Sequence, residues 1–157
     1  MDDITIARAI HVLAVVHWIG GVALVTTVLL PAAARLAGPA ARLALFEAVE
    51  GRFARQARIS VALAGLSGIY MTHRLDAWDR FLDPAAWWMH AMALLWIAFT
   101  AVLFVAEPLF LHRWFHARAA TRPAETFRLV GRAHWALLAA SALTTAAAVA
   151  GAHGLFL

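Results

Sequence analysis

The chain has 157 residues, 64% of them hydrophobic and 14% charged, where a soluble domain carries about 25% charged residues. It has no cysteine, which excludes disulfides, thiolate catalysis, iron–sulfur clusters and covalent haem attachment through Cys-x-x-Cys-His. All 13 basic residues are arginine; they lie at the ends of apolar runs, as in a membrane protein, which excludes nucleic acid as the partner of this basic chain.

These features predict an all-α integral membrane protein, a four-helix bundle forming one domain over residues 1–157. The first apolar stretch, IHVLAVVHWIGGVALVTTVLLP from Ile10 to Pro31, can cross a bilayer, for which about 20 residues suffice. Its span is expected at about residues 4–30, ended by Pro31. The acidic start Met1-Asp2-Asp3 and the length of the apolar run argue against a cleaved signal peptide. The span carries His11 and His17, and a histidine inside a membrane is costly enough to be a functional candidate by default. His11 and Trp18 are seven residues apart and share a helix face. Gly20 and Gly21 add a bare backbone patch that a flat cofactor or a helix can approach. His17 sits about 9 Å deeper than His11 and is expected on another face.

After a loop with Gly38-Pro39, residues 41–58 read as an amphipathic lead-in with Leu43, Phe46, Val49 and Phe53 on one stripe. The second span is expected at about residues 55–72. Its apolar part, Ile59 to Thr72, is short, so it borrows the preceding turn while Arg55 and Arg58 reach for the interface. Gly65-x-x-Gly68 suits close helix packing. A polar loop to Pro84 holds Asp76, Asp79 and Asp83, with Asp83-Pro84 as a cap and first-turn proline. The third span, about residues 85–111, opens on an interfacial Trp87-Trp88 pair. Glu107, before Pro108, is expected to pair with a loop arginine, and Glu47 and Glu50 with Arg42 or Arg52. An arginine-rich loop over residues 112–132 leads to the fourth span, about residues 133–152, whose small residues suit close packing.

Ten arginines lie after the first and third spans, against Arg8, Arg74 and Arg80 on the other side. The excess marks the cytoplasmic side of a bacterial inner membrane and places both termini in the periplasm. His11, His73, His90 and His153 then share the outer layer, and His112, His116 and His134 the inner one. An outer set of imidazoles on different helices suits axial ligation of haem b. The same region holds Met71, Met89 and Met92, and a thioether–imidazole set also suits copper. His73 and His153 read equally well as plain interfacial residues. His112 and His116 are an i, i+4 pair on one face, also compatible with a metal.

Three segments carry a family resemblance: Ile10-His11 through Trp18 to Pro31, Phe46-Glu47-Ala48-Val49-Glu50-Gly51-Arg52 before the glycine-bearing second span, and Trp88-Met89-His90-Ala91 opening the third. Together they resemble the HemJ-type protoporphyrinogen oxidases and, more widely, the CopD copper-resistance membrane proteins. The resemblance covers most of the chain and implies the same four spans. It also implies a b-type haem held partly by His11, with His90 in or next to the site; the outer-layer position of His73, and Trp18 and Gly21 beside His11 on the first span, make these the further cofactor-binding candidates. Where the HemJ motif has a lysine two residues after the third-span histidine, this chain has Met92, and it contains no lysine anywhere. The expected function is electron transfer between haem and a quinone, a porphyrinogen or a periplasmic redox partner, with a homo-oligomer allowed. The alternative is copper binding or transport through Met71, His73 and Met92.

Overall fold

The computed structural model describes residues 2–35 and 38–155. The described residues are all-α, with no strand. They form four long helices: α1 (Asp3–Ala34), α2 (Pro39–Arg74), α3 (Pro84–Thr121) and α4 (Pro123–Ala152). Residues 36–37, in the loop expected before Pro39, lie outside the described part. Three helices, α1, α3 and α4, are long and apolar enough to cross a membrane. α2 is not among them, because its apolar stretch from Ile59 is preceded by Arg52, Arg55, Gln56 and Arg58. It joins the amphipathic lead-in and the short apolar segment in one continuous helix.

α1 begins at an Asp2 cap, whose Oδ1 accepts the Ile4 N–H at 3.2 Å. It does not stop at Pro31 but runs on to Ala34. The turns Val25–Leu29 are widened to π-helical register, with the Leu30 N–H bonding the Val25 carbonyl. A widened turn relieves the clash between a proline ring and the carbonyl a turn earlier, so the helix passes through the proline.

α3 uses the same device on a larger scale. Its segment Ala101–Leu111 is π-helical and contains Pro108. The helix continues to Thr121, and α4 starts at Pro123, so the expected loop over residues 112–132 is two helix ends joined at Arg122. Pro123 at the first turn costs nothing there, since that N–H has no helical partner anyway. At the opposite end of α3 the expected cap is present: Asp83 Oδ1 accepts the Ala85 N–H at 2.8 Å.

α1 and α2 pack antiparallel along their length. The Tyr70 hydroxyl donates to Asp3 Oδ2 at 2.8 Å, with the Arg74 guanidinium 2.7 Å from the same oxygen. At the other end Phe46 of α2 is buried with Val25 and Leu29 of α1. Two apolar clusters result. One joins Trp18, Val22, Val61 and Phe99, with Leu137 and Leu138 of α4 against it. The second joins Val25, Leu29, Phe46 and Phe115, with the lead-in residues Leu43, Val49 and Phe53 packed on it as their spacing predicts. Large apolar side chains also cover the outside: Leu13, Leu94 and Leu143 are 68%, 66% and 72% exposed.

Candidate functional site

His11 is the most tightly specified of the sequence candidates. Its Nδ1 lies 2.8 Å from the Ala64 carbonyl and 3.2 Å from the Ser67 hydroxyl. A carbonyl only accepts, so Nδ1 carries the proton and donates it. The lone pair is then on Nε2, for which the described residues provide no hydrogen-bond partner. This is how a metal-ligating histidine is held: one ring nitrogen donates to a carbonyl, which fixes the tautomer and aims the other. Gly68 leaves room for the ring, since a Cβ there would lie a tight 3.3 Å from His11 Cε1. The Gly65-x-x-Gly68 spacing thus serves two approaches. His11 lies over Gly68, and the Trp96 ring fills the place of a side chain at Gly65 while its Nε1–H donates to the Val61 carbonyl at 2.9 Å.

Trp18, seven residues on, is buried at 4% exposure and meets Phe99 edge to face at 4.6 Å between centroids. Packing is therefore one role. Its indole N–H is also buried without an acceptor among the described residues, which is costly unless another group supplies one. The Phe53 ring lies against Gly21, where any Cβ would collide with it. The expected bare backbone is open only at Gly20, where a Cβ would meet nothing within 4 Å.

The other outer histidines are less defined. His73 and His90 are exposed, and the His90 ring stands edge-on to Phe81 with 5.3 Å between centroids. His153 is exposed and bonds its own helix at the Val149 carbonyl, 2.8 Å. Met71 and Met92 are half-buried. Among the described residues, no three His, Cys, Asp or Glu side chains converge where a metal ion would sit. His17 does not turn away from the helix that holds His11. Its Nδ1 is 2.9 Å from the Ser60 hydroxyl, one turn before Ala64 on α2.

At the far end of the helices a second polar group assembles. His112 and His116 have ring centroids 4.3 Å apart, as an i, i+4 pair should, and His116 Nδ1 is 3.2 Å from Glu47. Glu47 therefore pairs with His116, not the expected arginine. Glu107 pairs with Arg58, which lies inside α2 and not in a loop. Arg58 Nε also donates to the Leu103 carbonyl at 2.9 Å. In the π-helical register that carbonyl faces residue 108, a proline with no N–H to give. Burial pushes the Glu50 carboxyl up from its ordinary value; Glu107 and Glu47 add to this, while His112 and Arg58 oppose it. His134 is half-buried and bonds the Val130 carbonyl of its own helix at 2.9 Å.

Sequence reading missed Ser67 and the Ala64 carbonyl as the seat of His11, and Arg58 as the partner of Pro108's neighbours. Ser67 was visible as a polar residue between Gly65 and Gly68, two turns after Ser60 on the same face. No family model, curated protein or solved structure matches the chain.

Proposed function

We propose that the chain is an integral membrane four-helix bundle of the bacterial inner membrane that binds haem b at His11 and transfers electrons, as its resemblance to HemJ-type and CopD proteins suggests. The observation that carries this reading is His11 itself. Its Nδ1–H is committed to Ala64, and its Nε2 lone pair has no donor among the described residues. The unpartnered Trp18 N–H on the same helix face fits a bound group that brings an acceptor. The apolar, outward-facing side chains of α1, α3 and α4 support the membrane setting.

When bound, haem supplies a one-electron iron couple. The chain's residues would do the rest: His11 would ligate, Ala64 and Ser67 would hold its ring and raise its basicity, and the apolar shell would set the potential through burial. His90 would be the second ligand, with His73 in reserve. The test is the absorption spectrum of purified protein. A Soret band that is lost in His11→Ala and His90→Ala and kept in His153→Ala supports the assignment. A full-strength Soret band in His11→Ala overturns it. Colourless protein carrying copper selects the reading in which Met71, His73 and Met92 bind that metal.

A further inference from the structure

α2 differs from the other helices on the side it turns outward. Its exposed apolar side chains run from Ile69 through Leu66 and Leu63 to Ile59, and are between 43% and 67% exposed. The next exposed side chains along the helix are Gln56, Arg55 and Arg52. They continue the same lines, since Arg52, Ile59 and Leu66 are seven apart, as are Gln56, Leu63 and Tyr70.

The neighbouring helices stay apolar at that level. Arg52 and Gln56 border the same cleft as Gly20 and Leu24 of α1, and Leu24 is 54% exposed. On α3, Leu109 and Phe110 follow the Glu107 that Arg58 reaches, and both are exposed. The outward apolar belt therefore has a notch over α2. Length accounts for it: Ile59 to Thr72 measures about 21 Å as a helix, against about 30 Å of hydrocarbon. A bilayer meets so short a stretch by thinning, which draws headgroups down toward it.

The notch is cationic and open. Ten arginines at this end of the molecule meet four glutamates. Three of the four are taken, Glu107 by Arg58, Glu47 by His116 and Glu125 by Arg118 and Arg122. The charges that act on the fourth, Glu50, are those of Glu107, His112, Arg58 and Glu47. Arg52 and Arg55 thus have no carboxylate partner among the described residues. Two guanidinium forks and an amide within little more than one turn suit a phosphodiester, whose oxygens accept in pairs. A zwitterionic headgroup would bring its own cation against them, and an anionic one brings none. The apolar line that starts one turn further on favours an amphiphile over an acidic peptide.

We propose that the notch on α2 binds an anionic phospholipid, its phosphate held by Arg52, Arg55 and Gln56 and one acyl chain lying along Ile59, Leu63 and Leu66. This rests on the membrane reading and not on the haem. The test reconstitutes the full chain in nanodiscs of phosphatidylcholine with a minor share of phosphatidylglycerol, and native mass spectrometry counts the lipids that the released protein keeps. Phosphatidylglycerol should be kept in preference. Replacing Arg52 and Arg55 together by glutamine should cut that preference by about tenfold or more. Replacing Arg128 and Arg132 of α4 by glutamine removes the same charge from the same end and should leave it unchanged. Melting curves check folding, and Arg52→Gln alone replaces the double variant if that does not fold. Equal losses from the two pairs overturn the proposal, because the attraction would then belong to the whole charged end. Displacement of the lipid by soluble glycerol phosphate overturns it too, in favour of a free phosphate. A chain that does not insert removes the membrane reading and this proposal together, whereas an inserted chain with no lipid preference removes the proposal alone.

Discussion

Ser67 and Ala64 hold one ring nitrogen of His11 between them, and they are not equivalent. The carbonyl at 2.8 Å sets the tautomer, while the hydroxyl at 3.2 Å can be lost without freeing the ring. Ser67→Ala is therefore expected to retain the proposed haem and to shift its midpoint potential, which a redox titration followed by absorbance would read. Gly65→Leu should be far more damaging, because its side chain would displace Trp96 and break the bond to Val61; a loss of about 2–4 kcal/mol in a detergent unfolding curve is expected. Glu50 predicts a pH dependence. Its carboxyl is raised by burial in the folded chain above its ordinary value, so the fold favours the protonated form. Its contribution is intact below the unfolded value and is lost as pH rises through the raised folded one. Melting temperature should fall across that interval and be flatter in Glu50→Gln; identical profiles would remove Glu50 as the cause. The candidacy of His11 was legible because an imidazole inside a long apolar run stands out from its neighbours. The seat of His11 was not, since a main-chain carbonyl has no signature in sequence, and neither does a pair such as Glu47–His116 that forms across helices.

At the scale of elements, the helices were legible and their ends were not. Apolar runs near 20 residues announce a helix, but proline was read as a terminator at Pro31, and charge was read as a loop after His112. Both readings failed for one reason. A wider turn admits proline without ending the helix, and arginines on a long helix project beyond the apolar part and stay solvated. The Asp83-Pro84 cap was legible because it is local, a side chain bonding two residues on. Pro108 and Arg58 give the sharpest test. With the proline present, Arg58 supplies the donor that Leu103 lacks. Arg58→Gln should cost about 1–3 kcal/mol, since it strands both Glu107 and that carbonyl. In a Pro108→Ala background the cost should be smaller, because residue 108 regains an N–H. An equal cost in both backgrounds, measured by urea unfolding in detergent micelles, would separate the arginine from the proline.

For the whole molecule, the arginine asymmetry is the only guide to orientation. Ten against three predicts that a reporter fused after α4 is active when it requires export and silent when it requires the cytoplasm. The opposite pattern would invert the outer and inner histidine layers together. The lengths of the helices carry a further consequence. α1 has 32 residues and α3 has 38, about 48 and 57 Å at the helical rise, whereas a hydrocarbon core is about 30 Å thick. The surplus at the arginine-rich end brings Phe46, Phe115 and Phe127 against Val25 and Leu29 at the end of the first apolar run. On the proposed membrane reading, that cluster is held by the exclusion of water, and the cluster around Trp18 and Phe99 by packing within lipid. The two halves answer to different solvents. Mild urea should loosen the first while detergent choice governs the second, and deuterium should enter the amides around Phe115 well before those around Phe99.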